Sequence, residues 1–509
     1  MVTAALAPAD EQEPAFTPSA RPGLRKIAPY WYPYTTMAKG RWFNREILEV
    51  VSTEFRDRSV EYYRYALDSG VTTINGRIAK PGTIIRNGDR LENIVHRHEP
   101  PVTSTPVRIL HEDPEREFIV IDKPGSIPVH ATGRYFYLSL VEILQNDFGY
   151  TKVYTVNRLD RLTSGLMVIG LSSKRAHTLA EEFMAGTIKK EYIARCTGEF
   201  PTEEITVDQP LLTVDRQMGL NIVHPEGKPA KTIFNRLHYD ANTNTSVLHC
   251  QPLTGRSHQI RVHLQYLGHP IANDPVYSEK KIWGENLGKG GIDTTPTDER
   301  SAPVPPPQFK SAPNPEVSSS APEPASEPVA SSSTDTADAA KKLLPRETGH
   351  DIGMGSPVPL SAEAVGVITR LRNMKDEDED WSRWRDVVFK AKGRLHPKGM
   401  RIKPPPPQNR RVRGGPSRTD TPSDAGVYTP SATSTPAEPG TPAPEPDLAQ
   451  TADGLLFCPE CYLPLHPDPP PEKLYIFLHA LRYTTSLGVF ETSMPEWAGV
   501  GWEWERRER

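Results

Sequence analysis

Tyr154-Thr155-Val156-Asn157-Arg158-Leu159-Asp160-Arg161-Leu162-Thr163-Ser164-Gly165-Leu166-Met167-Val168-Ile169-Gly170 is the stretch around which the chain is organised. Leu166 to Ile169 form a short apolar run with β-branched members, the pattern of a buried strand. Ahead of it a single carboxylate, Asp160, stands between Arg158 and Arg161, and Thr163-Ser164-Gly165 supplies turn chemistry. Positive neighbours favour the ionised carboxylate, and a rigid strand aims a side chain better than a mobile loop. The residues allow two readings: a held and directed carboxylate, or a surface Arg-Asp-Arg turn. Spacing alone favours the turn.

Composition bounds the alternatives. The 509 residues suffice for two or three domains. The 53 prolines are unevenly placed and mean hydropathy is −0.54, so the chain is not uniformly globular. A net charge of −4 does not announce a nucleic-acid binder, and any RNA contact must come from a local basic groove. Cys196, Cys250, Cys458 and Cys461 are too few and scattered for a disulfide framework, which points to a reducing compartment. There is no apolar run of about 18 residues, so no membrane span is expected. The first thirty residues carry Asp10, Glu11 and Glu13 and lack an apolar core, unlike a secretory signal or a good mitochondrial presequence. Cytoplasm is the expected place, with the nucleus as an alternative and mitochondria disfavoured.

Residues 1–28 are rich in Ala, Pro and Glu and read as disordered. The aromatics Tyr30, Trp31, Tyr32 and Tyr34, with Trp42 and Phe43, fit packing on a domain better than stacking on bases. Two short helical patterns follow Asn44, the second capped by Ser59. Asn75-Gly76 between β-branched segments is a hairpin signal. Helix, helix, hairpin and Asn87-Gly88-Asp89-Arg90-Leu91 resemble an S4-type RNA-binding fold over residues 29–100. Arg56, Arg58, Arg64, Arg77 and Arg86 either face phosphate or form a solvated basic surface; the residues do not choose between these.

From Pro106 a strand, Phe118 to Ile121, leads into Asp122-Lys123-Pro124-Gly125 and then His130. A helix over Ser139 to Phe148 precedes the Asp160 stretch, and an amphipathic helix over Ser173 to Phe183 follows it. Strands are expected at Lys189 to Ala194, Thr232 to His238 and Ser246 to Gln251. Two His and two Arg crowd Arg256-Ser257-His258-Gln259-Ile260-Arg261-Val262-His263, but the spacing matches no zinc pattern. Residues 290–359 and 401–453 read as disordered insertions around a helical segment at 360–400, whose apolar pattern continues through Trp381 to Lys392. A C-terminal segment, 454–509, contains Cys458-Pro459-Glu460-Cys461 and a helix expected over Glu472 to Tyr483, too small to fold alone and so expected to dock on the domain around Asp160. One CxxC is half a zinc site, with His466 or His479 as further ligands; the residues favour two free thiols on a turn, and no metal is expected.

Arg158-Leu159-Asp160 and Thr163-Ser164-Gly165-Leu166 resemble the signature of the RluA family of pseudouridine synthases, with Asn157 where most bacterial members have His. Lys123-Pro124-Gly125, Lys190-Glu191-Tyr192-Ile193-Ala194 and Leu253 to His263 are similar to its other blocks, in the same order, and the C-terminal segment resembles eukaryotic relatives. The resemblance implies an α+β catalytic domain over 106–289 with a mixed, mainly antiparallel sheet. It also implies an enzyme that isomerises uridine in tRNA, at anticodon-loop position 32, after flipping the base out of the stack. Ribosomal RNA is the alternative substrate, and an RNA-binding factor without catalysis the alternative class. Asp160 would be the catalytic carboxylate, either attacking the ribose or removing the C2′ proton. Arg261 would pair with it, and Tyr192 would stack on the freed uracil and act as general base. Arg158 would enter the RNA in place of the flipped base, with Arg256, Lys190 and Arg77 as RNA contacts. Lys123 and His130 would be structural. No cofactor, no membrane and a monomer are expected.

Overall fold

The computed structural model describes residues 23–55, 60–216, 218–297, 352–353, 356–378, 449–450, 456–458, 460–461, 465 and 468–504. Most of the stretches read as disordered, the pattern from Trp381 to Lys392, and Arg56, Arg58, Ser59 and His466 lie outside them. Two compact units are formed, one drawn from Met1–Pro101 and Trp381–Asp468, the other from Val102–Asp380 and Pro469–Arg509. The division falls inside the expected C-terminal segment. No described helix is long and apolar enough to cross a membrane.

The smaller unit runs β1 (Tyr30–Met37), α1 (Ile47–Glu54), α2 (Val60–Asp68), β2 (Thr72–Ile74), β3 (Arg77–Ile78) and β4 (Arg90–Arg97). Its antiparallel sheet has the order β1-β4-β2-β3. Asn75 (φ 54°) and Gly76 (φ 76°) both adopt the left-handed conformation that a two-residue hairpin turn demands. The Glu46 carboxylate caps α1 by accepting from the Leu48 and Glu49 amides, which otherwise lack partners at a helix start. Trp42 is buried beside Phe55, so that part of the aromatic cluster is packing.

The larger unit runs β5 (Arg108–Asp113), β6 (Phe118–Lys123), α3 (Leu140–Asn146), β7 (Tyr154–Thr155), β8 (Ser164–Gly170), α4 (Ser173–Ala185) and β9 (Lys189–Thr197). It continues through β10 (Ile205–Asp208), β11 (Leu211–Asp215), β12 (Leu220–Val223), β13 (Lys231–Asp240), β14 (Thr245–Pro252) and α5 (Gln259–Tyr266). Last come α6 (Lys280–Trp283), α7 (Ala362–Asp378), β15 (Leu478–Thr485) and β16 (Gly488–Glu491). Ten of these strands form one mixed, mainly antiparallel sheet with the path β10-β13-β14-β9-β15-β8-β6-β5. Strand β7 pairs with β8, and β16 with β15. Only β8 against β15 is parallel among these pairings.

The helix expected over Glu472 to Tyr483 is corrected: its second half is β15, inserted between β8 and β9. Leu478, His479, Ala480, Leu481 and Tyr483 are all buried. A strand covered on both faces loses the alternation that distinguishes it, and its apolar run then passes for a helix. Gly165 is where β8 passes β15: a Cβ there would lie 2.3 Å from the Ala480 carbonyl oxygen, and its φ is 112°. Gly125 is similarly confined, since a Cβ would meet Tyr475 Cβ at 2.6 Å. The glycines of Thr-Ser-Gly and Lys-Pro-Gly are thus dictated by residues some 300 positions downstream.

Helix α7 belongs to this unit. Ala364, Ile368 and Leu371 bury one face against Leu211, Ile222, Tyr277 and Ile282, and Arg372 meets Asp215 at 2.6 Å where both are buried.

Candidate active site

Asp160 lies in the turn between β7 and β8, where its carbonyl accepts from the Thr163 amide at 3.1 Å. The backbone below is fixed by β8, whose Leu166 to Ile169 are fully buried between β6 and β15. Its side chain stays 26% exposed, enough for a ligand to reach the carboxylate. Arg261 Nη1 donates to Asp160 Oδ2 at 3.0 Å. The same guanidinium donates to Asp274 through Nε (2.6 Å) and Nη2 (2.9 Å), while it lies 4.9 Å from the centre of the Tyr277 ring. Asp274 is itself buried and accepts from the Val276 and Tyr277 amides at 2.9 and 3.0 Å. Arg261 is therefore gripped from behind by a bidentate pair and presents one remaining edge to Asp160.

This arrangement sets the charge. Burial alone would raise the Asp160 carboxyl; His258, the Arg261 guanidinium and its hydrogen bond, and Arg158 outweigh it and hold the group below the usual carboxylate value. His258 Nε2 is 3.6 Å from Asp160 Oδ2. Burial lowers that imidazole below its ordinary value despite the pull of Asp160, so at neutral pH the guanidiniums carry the effect. Burial would lower Arg261 too, but Asp274 and Asp160 raise it well above its usual range.

Tyr192, on β9, is buried and shares a 2.8 Å hydrogen bond with Tyr483 of β15. Burial pushes its phenol up to about 12, with the Tyr483 bond opposing and Asp160 adding to the rise. Asn157 Nδ2 donates to the Tyr483 hydroxyl at 3.4 Å, so the signature's departure from the usual His reaches Tyr192 through one intermediary. Lys123 is fully buried and donates to the carbonyls of Pro124 (3.0 Å), Ile127 (3.0 Å) and Arg161 (3.4 Å), bracing the loop that carries Asp160. His130 Nε2 meets Thr155 Oγ1 at 2.9 Å.

Arg158 is exposed in the same loop as Asp160. Lys190 Nζ reaches the Thr254 carbonyl at 3.3 Å, and Arg256, exposed, donates through Nε to the Pro229 carbonyl at 2.9 Å. Burial, and then Arg256, lower the Lys190 ammonium, which marks the two cations as neighbours. Arg77 is exposed on β3 of the smaller unit. His258, Asp274 and Tyr483 escaped the sequence reading of the site. The first stands out in the sequence only as a possible metal ligand, the second carries no local signal, and the third falls in a stretch whose pattern reads as helical.

Residues 117–266 match the family described as RNA pseudouridylate synthase. Over 272 residues the chain is 50% identical to "tRNA pseudouridine(32) synthase, mitochondrial" of Saccharomyces cerevisiae, covering 53% of this chain and 58% of that protein. It is 44% identical over 270 residues to human "Pseudouridylate synthase RPUSD2", covering 53% and 49%. A second yeast protein, "tRNA pseudouridine(31) synthase", is 33% identical over 300 residues, 50% of this chain and 72% of its own length. The chain belongs to the RluA-type family of RNA pseudouridine synthases. Matched regions span only about half the length of the human relative and little more of the first yeast one. The expectation of a cytoplasmic or nuclear protein is corrected by the yeast relative at 50% identity, which is named as mitochondrial.

Proposed function

We propose that this protein converts uridine to pseudouridine in tRNA, at anticodon-loop position 32, with Asp160 as the acting carboxylate. The observation that carries the reading is the chain Asp274–Arg261–Asp160, which ends in an ionised, partly open oxygen. The position rests on the name of the yeast relative at 50% identity. In the reaction the N1–C1′ bond breaks, the base turns, and C5 bonds to C1′ while the C5 proton is lost and N1 gains one. A carboxylate kept ionised suits either attack on C1′ or removal of the C2′ proton.

Tyr192 would pack against the freed uracil. A phenol held at about 12 is a poor base at neutral pH, so stacking is the role its surroundings favour. Arg158, exposed beside Asp160 on its own loop, would fill the gap left by the flipped base, with a planar guanidinium that stacks and donates at once. Lys190 and Arg256 would hold backbone phosphate. The smaller unit, two helices packed with an antiparallel sheet, would act as an S4-like RNA-binding module, with Arg77 on its exposed hairpin.

Mapping pseudouridine in total RNA from cells with and without the protein, and after complementation with Asp160→Asn, tests the proposal. Loss at tRNA position 32, restored by wild type and not by the variant, is expected. Loss at position 31 or in ribosomal RNA would overturn the substrate reading, and rescue by the variant would overturn the role of Asp160.

A further inference from the structure

In the smaller unit strand β4 runs out through His96, and His98 follows one residue past its end. Four side chains converge there: His96, His98, Cys458 and Cys461, with one ligand atom from each lying within 4.8 Å of all the others. His96 Nδ1 is 3.1 Å from His98 Nε2, His98 Nε2 is 3.2 Å from Cys461 Sγ, and Cys458 Sγ is 3.7 Å from His96 Nδ1. For a tetrahedral ion with bonds of about 2.0–2.1 Å to nitrogen and about 2.3 Å to sulfur, the edges are about 3.3 Å for N···N, 3.6 Å for N···S and 3.8 Å for S···S. These three separations lie within about 0.4 Å of the corresponding edges, and every other pair of the four atoms lies within 4.8 Å. Cys458, Cys461 and His96 are buried, so the shell is closed to solvent on most sides.

We infer that His96, His98, Cys458 and Cys461 form a structural zinc site. Two thiolates and two imidazoles are the donor set zinc takes in closed, four-coordinate sites, and no ligand position remains for water. The surroundings agree. His96 turns Nδ1 to the cluster and leaves Nε2 facing the Glu460 carboxylate at 3.5 Å, and that carboxylate accepts from the Trp31 indole at 2.7 Å. A carboxylate behind a ligating imidazole fixes its tautomer and strengthens it as a donor. Trp31 also covers the His96 ring, with centroids 4.6 Å apart.

This inference departs from the expectation that the CxxC would hold no metal. Its missing half is not His479, whose nitrogens bond Ser164 (2.9 Å) and Thr492 (2.7 Å) in the larger unit. The partners lie 362 and 363 residues upstream instead. Bound zinc would tie the segment around Cys458–Cys461 to the end of β4, within one unit built from two distant parts of the chain.

The test is the metal content of the full chain, purified without a histidine tag and without added metal. About one zinc per chain is expected. The double variant Cys458→Ser/Cys461→Ser should lower it about tenfold or more, and His96→Ala and His98→Ala should each weaken retention against a chelator. Replacing zinc by cobalt in the wild type should give the visible bands of a tetrahedral centre with thiolate-to-cobalt charge transfer, a readout that needs no variant to fold. A wild-type chain with negligible zinc that develops no such bands on adding cobalt would overturn the site. So would zinc that the double cysteine variant retains in full, or a Cys458–Cys461 disulfide in the freshly purified protein.

Discussion

The hydroxyls of Tyr192 and Tyr483 meet at 2.8 Å although 291 residues separate them. Both phenols are pushed upward by burial, so the pair is neutral and the bond is one between two protonated groups. Tyr192→Phe keeps the ring that stacks, so isomerisation should slow by no more than about tenfold. Tyr483→Phe should have a smaller effect, because it only positions Tyr192. The double variant should match Tyr192→Phe alone in single-turnover rates. Additive losses would mean that the two hydroxyls act independently.

Replacing Asp160 by Asn keeps the shape and removes the charge. Turnover should fall by about 10⁴-fold or more while tRNA affinity changes little. The comparison of filter binding with tritium release from C5-labelled RNA measures both. Turnover in Asp160→Asn within about a hundredfold of wild type would remove the carboxylate from the chemistry.

Asp274 should matter without touching RNA. It grips Arg261 with two hydrogen bonds and is itself buried. Asp274→Ala leaves a buried guanidinium with half its partners, and should destabilise the fold by about 3–5 kcal/mol in urea or thermal unfolding. Arg261→Lys, which cannot span both carboxylates in plane, should lower the rate by about 10–100-fold.

The pH dependence follows from the same pair. The folded carboxyls of Asp160 and Asp274 are both held below their ordinary value, because His258, Arg261 and Arg158 outweigh burial at Asp160, and Arg261 with two backbone amides outweighs it at Asp274. Their contribution to stability is therefore complete above the unfolded carboxylate value of about 3.9 and is lost as pH falls through the lower folded values. Activity should likewise hold down to mildly acidic pH. In Arg261→Met the acid limb of the rate profile should move upward, since burial then acts on Asp160 with less opposition.

Gly165→Ala tests the crossing of β8 and β15. A methyl group would sit 2.3 Å from the Ala480 carbonyl oxygen, on a backbone with φ of 112°. Something must shift, and the loss should be about 2–4 kcal/mol, read from the midpoint of urea unfolding. Gly186→Ala, at the left-handed end of α4 with nothing within 4 Å, is the control for φ alone and should cost less.

What could be read from the residues was local. Leu166 to Ile169 announced a buried strand, Asn75-Gly76 a hairpin, and Ala364, Ile368 and Leu371 a helix face, because each needs only neighbouring residues to declare itself. Asp160 and Arg261 were found together through resemblance, and the structure brings them to 3.0 Å. What stayed hidden was long-range. Asp274 is an acidic residue in a loop until Arg261 is beside it, and β15 looks helical until both its faces are covered. His96 and His98 carry no metal spacing of their own until the turn at Cys458 arrives.

The placement of β15 between β8 and β9 has a consequence for synthesis. When a ribosome has translated the Asp160 turn and the Tyr192 strand, the strand that joins them edge to edge is still almost three hundred codons away. The nascent chain must keep two halves of a sheet apart, each with an open edge, until the codons for Leu478–Thr485 have been read. A message cut between the codons for Asp274 and Leu478 therefore encodes every proposed active-site residue and no continuous sheet to hold them.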